Sequence, residues 1–576
     1  MLCGVLLGMA ITSSSAQQRP NIVLVMADDV GYGDIGRLGS PIIQTPHLDR
    51  LHDESIRLTN YHTGTTCSPT RAGLLTGQHY NKIGVWHTIM GRSLLRPDIM
   101  TLPEILVRNG YHTAIFGKWH LGDNRPMRPQ DRGFQYTLIH GGGGIGQTPD
   151  YWGNTYFDDT YCRNGVAERF IGYCTDIWFD EALQYMENHV KSGGHQPFFC
   201  YLPLNAAHKP HRAPSRYIDK YKDQADAVDP IYNAMVDNID ENMGRLMDKL
   251  SEWGISDNTI LIFTSDNGTS NGGGVRVDRH GFVTHGYNAG MRGVKGQPYE
   301  GGHRLPFFIR YPDAVWSTGK NVNQLSSCLD VLPTLLALCG IRDTLKGLDG
   351  ENLVPYLEGK PADPGKIYIA DTQRGRYLQK YKAYCVMKGD WRLVNGELFN
   401  LADDPEQRRN VAMRYPDTAV MLKQEYERWW SEVEAENTRY PFVRIPISPV
   451  AQTPINCMDL FPDDESYPAW SQELIRREKN SASGVWKLSI PEGGRYKIIV
   501  RQFPLEAADN EQPEFDEAGQ SFIQLNGSPP VIRSGLRLKT ASYEVELTKG
   551  DLDFRAGFID PRGEKVAAQY VYFQKQ

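Results

Sequence analysis

Two pairs of oxygen-bearing side chains sit where chemistry can be done: Asp28–Asp29 and Asp266–Asn267. Each pair directly follows a continuous apolar run, NIVLVMA at 21–27 and TILIFTS at 259–265. One such pair alone reads as a turn or a helix cap. Two of them, each at the end of a buried strand, offer hard oxygen ligands that suit Ca2+ or Mg2+ rather than Zn2+. A third feature is the run TCSPTRAGLLTG at 66–77. Proline shortly after a polar residue favours a helix start, and RAGLL continues it. Cys67 therefore sits at or near a helix N-terminus, where free amides and the positive dipole end favour an anion or oxyanion. Arg71 lies one turn along on the same face. An ordinary buried cysteine is the alternative reading of Cys67.

These residues need a frame. The runs at 21–27, 198–204 (FFCYLPL) and 259–265 are unbroken apolar segments, as parallel strands covered on both faces should be. Between them, apolar residues recur at helical spacing over 231–254 (Ile231, Met235, Ile239, Met243, Leu246, Leu250), and Gly254 stops the pattern. Residues 329–339 read as a shorter helix. Strands alternating with helices imply an α/β sheet with helices on both faces. In such sheets the active groups gather beyond the carboxyl ends of the strands. Both oxygen-donor pairs should then project from one edge. From about residue 365 the pattern changes. Residues 384–401 read as short antiparallel strands, and a helix at 418–435 follows. A Pro-rich, irregular stretch at 438–475 reads as a linker. Beyond about 483, VWKLSI, YKIIVRQF, SFIQLNG, SYEVELTKG and AAQYVYFQ read as a β-sandwich.

The segment Cys67-Ser68-Pro69-Thr70-Arg71 followed by Leu75-Thr76-Gly77 resembles the signature of the type I, formylglycine-dependent sulfatases. Further matches follow in order: ADD at 27–29, GKWHLG at 117–122, AAHKPH at 206–211, SDNG at 265–268 and GVKGQPYEGGHRLPFFIRYP at 293–312. The resemblance covers roughly residues 19–435 and implies an alkaline-phosphatase-like α/β fold. It implies that Cys67 is oxidised to formylglycine by a formylglycine-generating enzyme. It also implies that Asp28, Asp29, Asp266 and Asn267, with residue 67, hold Ca2+. Arg71 and Lys118 match the residues that hold the formylglycine hydrate. His120 matches the base that later breaks the hydrate's sulfate ester. His208 and Lys295 match residues around the leaving oxygen and the sulfate. The organisation implied is a signal peptide at 1–17, a catalytic α/β domain at 18–365 and a small antiparallel subdomain at 366–440. A linker at 441–482 and a β-sandwich module at 483–576 complete it.

Composition sets the outer bounds. The 576 residues are 40% hydrophobic and 23% charged, ordinary for a soluble globular chain of several domains. A net charge of −7 argues against a general nucleic-acid binder. Residues 2–11 are apolar and lead into Ser13–Ala16, which reads as a signal peptide of an exported protein, periplasmic or secreted. No other segment is long and apolar enough to span a bilayer. Export permits disulfides, and Cys162 with Cys174, and Cys328 with Cys339, are close enough in sequence to pair. Sulfated glycans are the favoured substrates. The insertion at 140–161 offers aromatic platforms, Trp152 among them, and His211 and Arg212 offer basic groups for further sulfates or carboxylates. Two alternatives remain: a formylglycine-dependent phosphonate or phosphodiester hydrolase of the same fold, and a catalytically silent glycan-binding protein.

Overall fold

The computed structural model describes residues 19–576, save 195, 315, 317–318, 344, 478–481, 509–510, 560–562 and 564, and the side chains of 516–518. The expected signal peptide lies outside the described residues. Among the described residues, no helix is long and apolar enough to cross a membrane.

The centre is a ten-stranded mixed sheet. From one edge its strands are Asn321–Val322, Ile56–Leu58, Phe307–Arg310, Thr259–Ser265, Asn21–Ala27, Phe198–Pro203, His112–Lys118, Tyr136–His140, Thr160–Arg163 and Val166–Arg169. The five strands from Thr259–Ser265 to Tyr136–His140 run parallel. Every residue of Asn21–Ala27 is buried. Ile22, Leu24 and Met26 pack into the core on one face, with the helices Cys67–Thr76, Leu102–Arg108 and Val331–Leu338. Val23, Val25 and Ala27 pack into the core on the other, with Pro46–Glu54, Cys174–Lys191 and Pro230–Glu252. Burial on both faces is why these strands are apolar at every position rather than at alternate ones.

A four-stranded antiparallel sheet follows: Ile367–Asp371, Tyr384–Lys388, Trp391–Val394 and Glu397–Asn400. Its outer face is covered by the helix Pro416–Arg439 through Leu422, Tyr426, Trp429 and Trp430. The C-terminal region is all-β. One sheet holds Gly484–Ile490, Gly550–Ile559, Glu514–Leu525 and Val531–Leu538. A second holds Tyr570–Lys575, Gly494–Arg501 and Thr540–Leu547, and the two share one apolar core.

Residues 441–482 differ from the irregular linker expected. Ile445–Pro446 and Thr453–Asn456 are edge strands of the two C-terminal sheets, and Gln472–Arg476 is a short helix. Pro446 and Pro454 mask them in the sequence, because proline is tolerated on sheet edges but breaks any strand pattern. Val531–Leu538 escapes sequence reading for a related reason: it is an edge strand exposed along most of its length, so it shows no apolar alternation.

The two disulfides suggested by spacing are absent, and every described cysteine is free. Cys328 and Cys339 flank the helix Val331–Leu338, which holds them roughly 15 Å apart, far beyond disulfide reach. Cys162 and Cys174 pack into cores on opposite faces of the sheet.

Where segment 441–482 meets the main domain, Asp459 lies near Asp123. Burial raises Asp123 to about 6. Burial and the charge of Asp123 raise Asp459 to about 8. Both carboxyls thus keep their protons to higher pH folded than unfolded, where they ionise near pH ~4. The folded state binds more protons at these two groups across that window, so their contribution to stability falls as pH rises from about 4 to 8. The neutral isostere Asp459→Asn should therefore stabilise the protein at pH 8 by on the order of 1–3 kcal/mol and give no gain at pH 4. Urea midpoints at the two pH values measure this, and an equal shift at both would refute it.

Candidate active site

The functional groups come from the carboxyl ends of neighbouring parallel strands and from one helix tip. Asp28 and Asp29 follow Asn21–Ala27, Asp266 and Asn267 follow Thr259–Ser265, and His208 lies beyond Phe198–Pro203. Lys118 ends His112–Lys118, and His120 comes two residues later. Cys67 is the first residue of a ten-residue helix that is buried throughout. Thr70 Oγ1 donates to the Asp266 carbonyl at 2.6 Å, and Ser68 Oγ to the His120 carbonyl at 2.9 Å. These two bonds tie the helix tip to the strand ends.

At the centre lie three carboxylates and a thiol. Asp28, Asp29, Cys67 and Asp266 each present a ligand atom within 4.8 Å of the others, and all four are buried. Cys67 Sγ stands 3.5 Å from both Asp28 Oδ1 and Asn267 Oδ1. Cations surround the group. Lys118 Nζ donates to Asp28 Oδ2 at 2.7 Å, Arg71 Nη2 to Asp266 Oδ2 at 2.8 Å, and Lys295 Nζ to Asp29 Oδ1 at 2.5 Å.

The electrostatics follow from this packing. Burial, then the charges of Asp266 and Asp29, raise Asp28 to about 7 despite Lys118. Burial also opposes ionisation of Asp29 and Asp266. For Asp29, Lys295 and His208 overcome it, and for Asp266, Arg71 and Lys118 do, so both lie below their ordinary range. Burial, then Asp266 and Asp28, push the Cys67 thiol up to about 12. Left as cysteine, it stays protonated at neutral pH and is a poor nucleophile. Three clustered buried carboxylates with an amide oxygen form an all-oxygen donor set, which fits a hard divalent cation such as Ca2+.

Two histidines face the same cavity. His120 Nε2 lies 3.1 Å from the Thr88 carbonyl, so the ring proton sits there. Its Nδ1 has no partner. Burial, then Lys118 and Arg71, hold this ring well below its ordinary value, and it is a neutral base with a free lone pair. His208 Nδ1 donates to the Lys209 carbonyl at 2.6 Å. Burial and the nearby Lys295 charge lower His208 to about 3. Asp29 and His120 both adopt positive φ, 62° and 59°. Such backbone strain in non-glycine residues concentrates at functional sites.

The cavity measures about 310 Å³ and is lined by Asp29, Cys67, His120, His208 and Lys295 of the expected set. Asp28, Arg71, Lys118, Asp266 and Asn267 form the layer beneath. Three expected substrate contacts lie elsewhere. His211 is held by Asp229, whose other oxygen caps the helix Pro230–Glu252. Arg212 is exposed outside the cavity and accepts the Tyr173 hydroxyl with its carbonyl. Trp152 packs on Phe503 and Arg476. Its apolar face is consumed by the C-terminal region rather than offered to a ligand. The cavity wall also contains Gln147, from the insertion at 140–161, and His87, Arg374, Tyr467 and Trp470, which sequence reading missed. None belongs to a motif, and Tyr467 and Trp470 fall in the stretch read as a linker.

Arg71→Gln tests the charge balance. It leaves the buried Asp266 without its partner and should cost about 3–5 kcal/mol of stability. Chemical denaturation with a chelator present measures this. A loss below about 1 kcal/mol would show that Arg71 does not balance this carboxylate.

Comparisons with known proteins agree with this geometry. The sulfatase family profile matches residues 20–341, more than half of the chain. Human N-acetylgalactosamine-6-sulfatase is 31% identical over 398 residues, 65% of this chain and 72% of that protein. A protein of Schizosaccharomyces pombe described as an uncharacterised sulfatase is 28% identical over 546 residues, 74% of this chain and 96% of its own. The solved structure of Ps i-CgsB in complex with k-i-k-neocarrahexaose superposes with a TM-score of 0.65 at 27% identity, over 72% of this chain and 93% of that one. The chain belongs to the sulfatase family.

Proposed function

We propose that this sulfatase-family hydrolase releases sulfate from the esters of a sulfated glycan, using Ca2+ and a formylglycine derived from Cys67. The observation that carries the reading is the place of Cys67: the first residue of a buried helix, inside a carboxylate cluster and 3.5 Å from both Asp28 Oδ1 and Asn267 Oδ1. A hydrated aldehyde there would offer one hydroxyl for attack and a second for release. Bound Ca2+ supplies a Lewis acid that polarises a sulfuryl oxygen.

The chain's own groups do the rest. Lys118 and Arg71 hold Asp28 and Asp266 in place beneath the helix tip. Lys295 keeps its proton, because the nearby acids outweigh burial, and it faces the cavity as a fixed positive charge for the sulfuryl oxygens. His120 accepts a proton at its free Nδ1. His208 is neutral before substrate arrives. An incoming sulfate offsets Lys295 and raises the affinity of this ring for the proton that the leaving oxygen needs.

The glycan assignment draws on relatives. The human relative is by name an N-acetylgalactosamine-6-sulfatase, and Ps i-CgsB was solved with a neocarrahexaose. The apolar run at 2–11 supports an exported protein, where sulfated polysaccharides are met, and a formylglycine-generating enzyme is the implied partner.

The tests are direct. Intact mass should be lower than the unmodified sequence predicts, from loss at Cys67. Cys67→Ala should abolish sulfate release, and chelation should do so reversibly, with Ca2+ restoring it. Retained turnover in Cys67→Ala removes the mechanism. A higher kcat/KM on matched phosphate or phosphonate esters would replace the sulfatase assignment with the phosphohydrolase one. An unmodified, inactive protein that still binds glycans would leave the silent binding role.

A further inference from the structure

Part of the outer wall of the cavity is built by residues beyond the part matched by the family profile, which ends at residue 341. Tyr467 and Trp470 come from segment 441–482, and Arg374 follows the first strand of the small antiparallel sheet. The segment is pinned at several points. Tyr467 Oη donates to the Arg374 carbonyl at 3.1 Å. The Trp470 carbonyl accepts from Thr148 N at 3.2 Å, the Ala469 carbonyl accepts from Thr148 Oγ1 at 2.5 Å, and Ser471 forms a β-bridge with Gln147. The backbone is thus fixed to the loop behind His120, yet Tyr467 and Trp470 remain 48% and 44% exposed. Apolar faces gathered at the mouth of a cavity and rimmed by polar groups mark a ligand-binding groove.

Two polar groups share that wall. Arg374 is exposed and has no ion-pair partner among the described residues. Its Nη1 packs over Gly296, the residue after Lys295, so closely that a Cβ there would lie 3.1 Å away. His87 is buried and meets the Tyr467 ring edge-on, with centroids 5.9 Å apart. Its Nδ1 accepts from Thr88 N at 2.7 Å, which leaves the ring proton on Nε2, and that donor has no partner. The wall therefore combines flat apolar faces, an unpaired guanidinium and an unused donor beside the sulfate position. Aromatic faces suit the C–H-rich face of a pyranose, and a free guanidinium suits a planar or tetrahedral oxyanion.

We propose that Arg374, Tyr467 and Trp470 are the specificity wall of this site. The two rings take a sugar face of the glycan, and Arg374 takes a second anionic group, a sulfate or a carboxylate, on the same oligosaccharide. The inference rests on the glycan sulfatase reading and deepens it, because it assigns selection to residues outside the matched family region.

The test compares substrates that reach the wall with one that does not. Wild type, Trp470→Ala, Tyr467→Ala and Arg374→Ala are assayed on 4-nitrophenyl sulfate, a sulfated neocarrahexaose and a chondroitin 6-sulfate hexasaccharide. Each variant should lower the ratio of kcat/KM on its preferred hexasaccharide to that on the aryl ester by about tenfold or more, chiefly through KM. Sensitivity to Arg374→Ala on the carrageenan substrate, whose only anions are sulfates, identifies the second anion as sulfate; sensitivity on the chondroitin substrate that persists when all but the scissile sulfate is removed identifies it as carboxylate. An unchanged ratio overturns the proposal, whether both activities fall together, as a merely structural role would give, or neither falls. Failure of the underlying reading looks different: wild type itself then releases sulfate from neither hexasaccharide, and the wall falls with it.

Discussion

The structure is organised around a repulsion. Asp28, Asp29 and Asp266 are buried together beside Cys67, and three acids so placed cannot all ionise without compensation. Arg71, Lys118 and Lys295 each approach one of them within 2.8 Å. The compensation is incomplete by one measure: Asp28 is still raised to about 7, even with Lys118 against it. A divalent cation among the carboxylates would remove the remaining conflict. The fold tolerates the cluster because its members sit on strand ends and a helix tip that the apolar cores hold in place, not on free loops.

Close backbone approach is the means by which those ends converge. Gly117 precedes Lys118 at φ +122°, and a Cβ there would lie 2.2 Å from the Pro203 carbonyl of the neighbouring strand. Gly268 follows Asn267, and a Cβ there would come 1.8 Å from the Gly301 carbonyl. Gly143 lies against the His120 ring at a distance no side chain could share. Each glycine thus stands beside a functional residue and lets a second segment pass within contact distance of it. The loop at 141–146 is held close to His120 for this reason.

What could be read from the sequence follows the same division. Strand ends are legible because a doubly buried strand is apolar at every position, and the first polar residues after it mark the active edge. Cys67 is legible through Pro69 and the helix that follows. The wall residues were not legible, because nothing local distinguishes them. Trp470 owes its position to hydrogen bonds that Thr148, more than three hundred residues away, donates to its carbonyl and to that of Ala469. Trp152, by contrast, looked like a platform by type, yet its ring is covered by Phe503 and Arg476. His211 looked like a basic contact, yet it serves Asp229. Residue type reports what a side chain can do. Only its neighbours decide whether its capacity is already used.

That criterion separates the catalytic floor from the wall. On the floor almost every capacity is engaged within the protein: Arg71, Lys118 and Lys295 are each paired to a carboxylate. Among the described residues, the chief exception is His120 Nδ1, which keeps a free lone pair. On the wall the engagement is reversed. Among the described residues Arg374 is exposed without a carboxylate partner and His87 Nε2 has no partner, and two aromatic side chains are about half uncovered. A preorganised floor suits a reaction whose charge develops in a fixed place. An unsatisfied wall suits recognition, because its groups gain most when a ligand arrives. The negative net charge of the chain is no obstacle to anionic substrates, since the cations that matter are gathered at one sheet edge and the acids there are matched one to one.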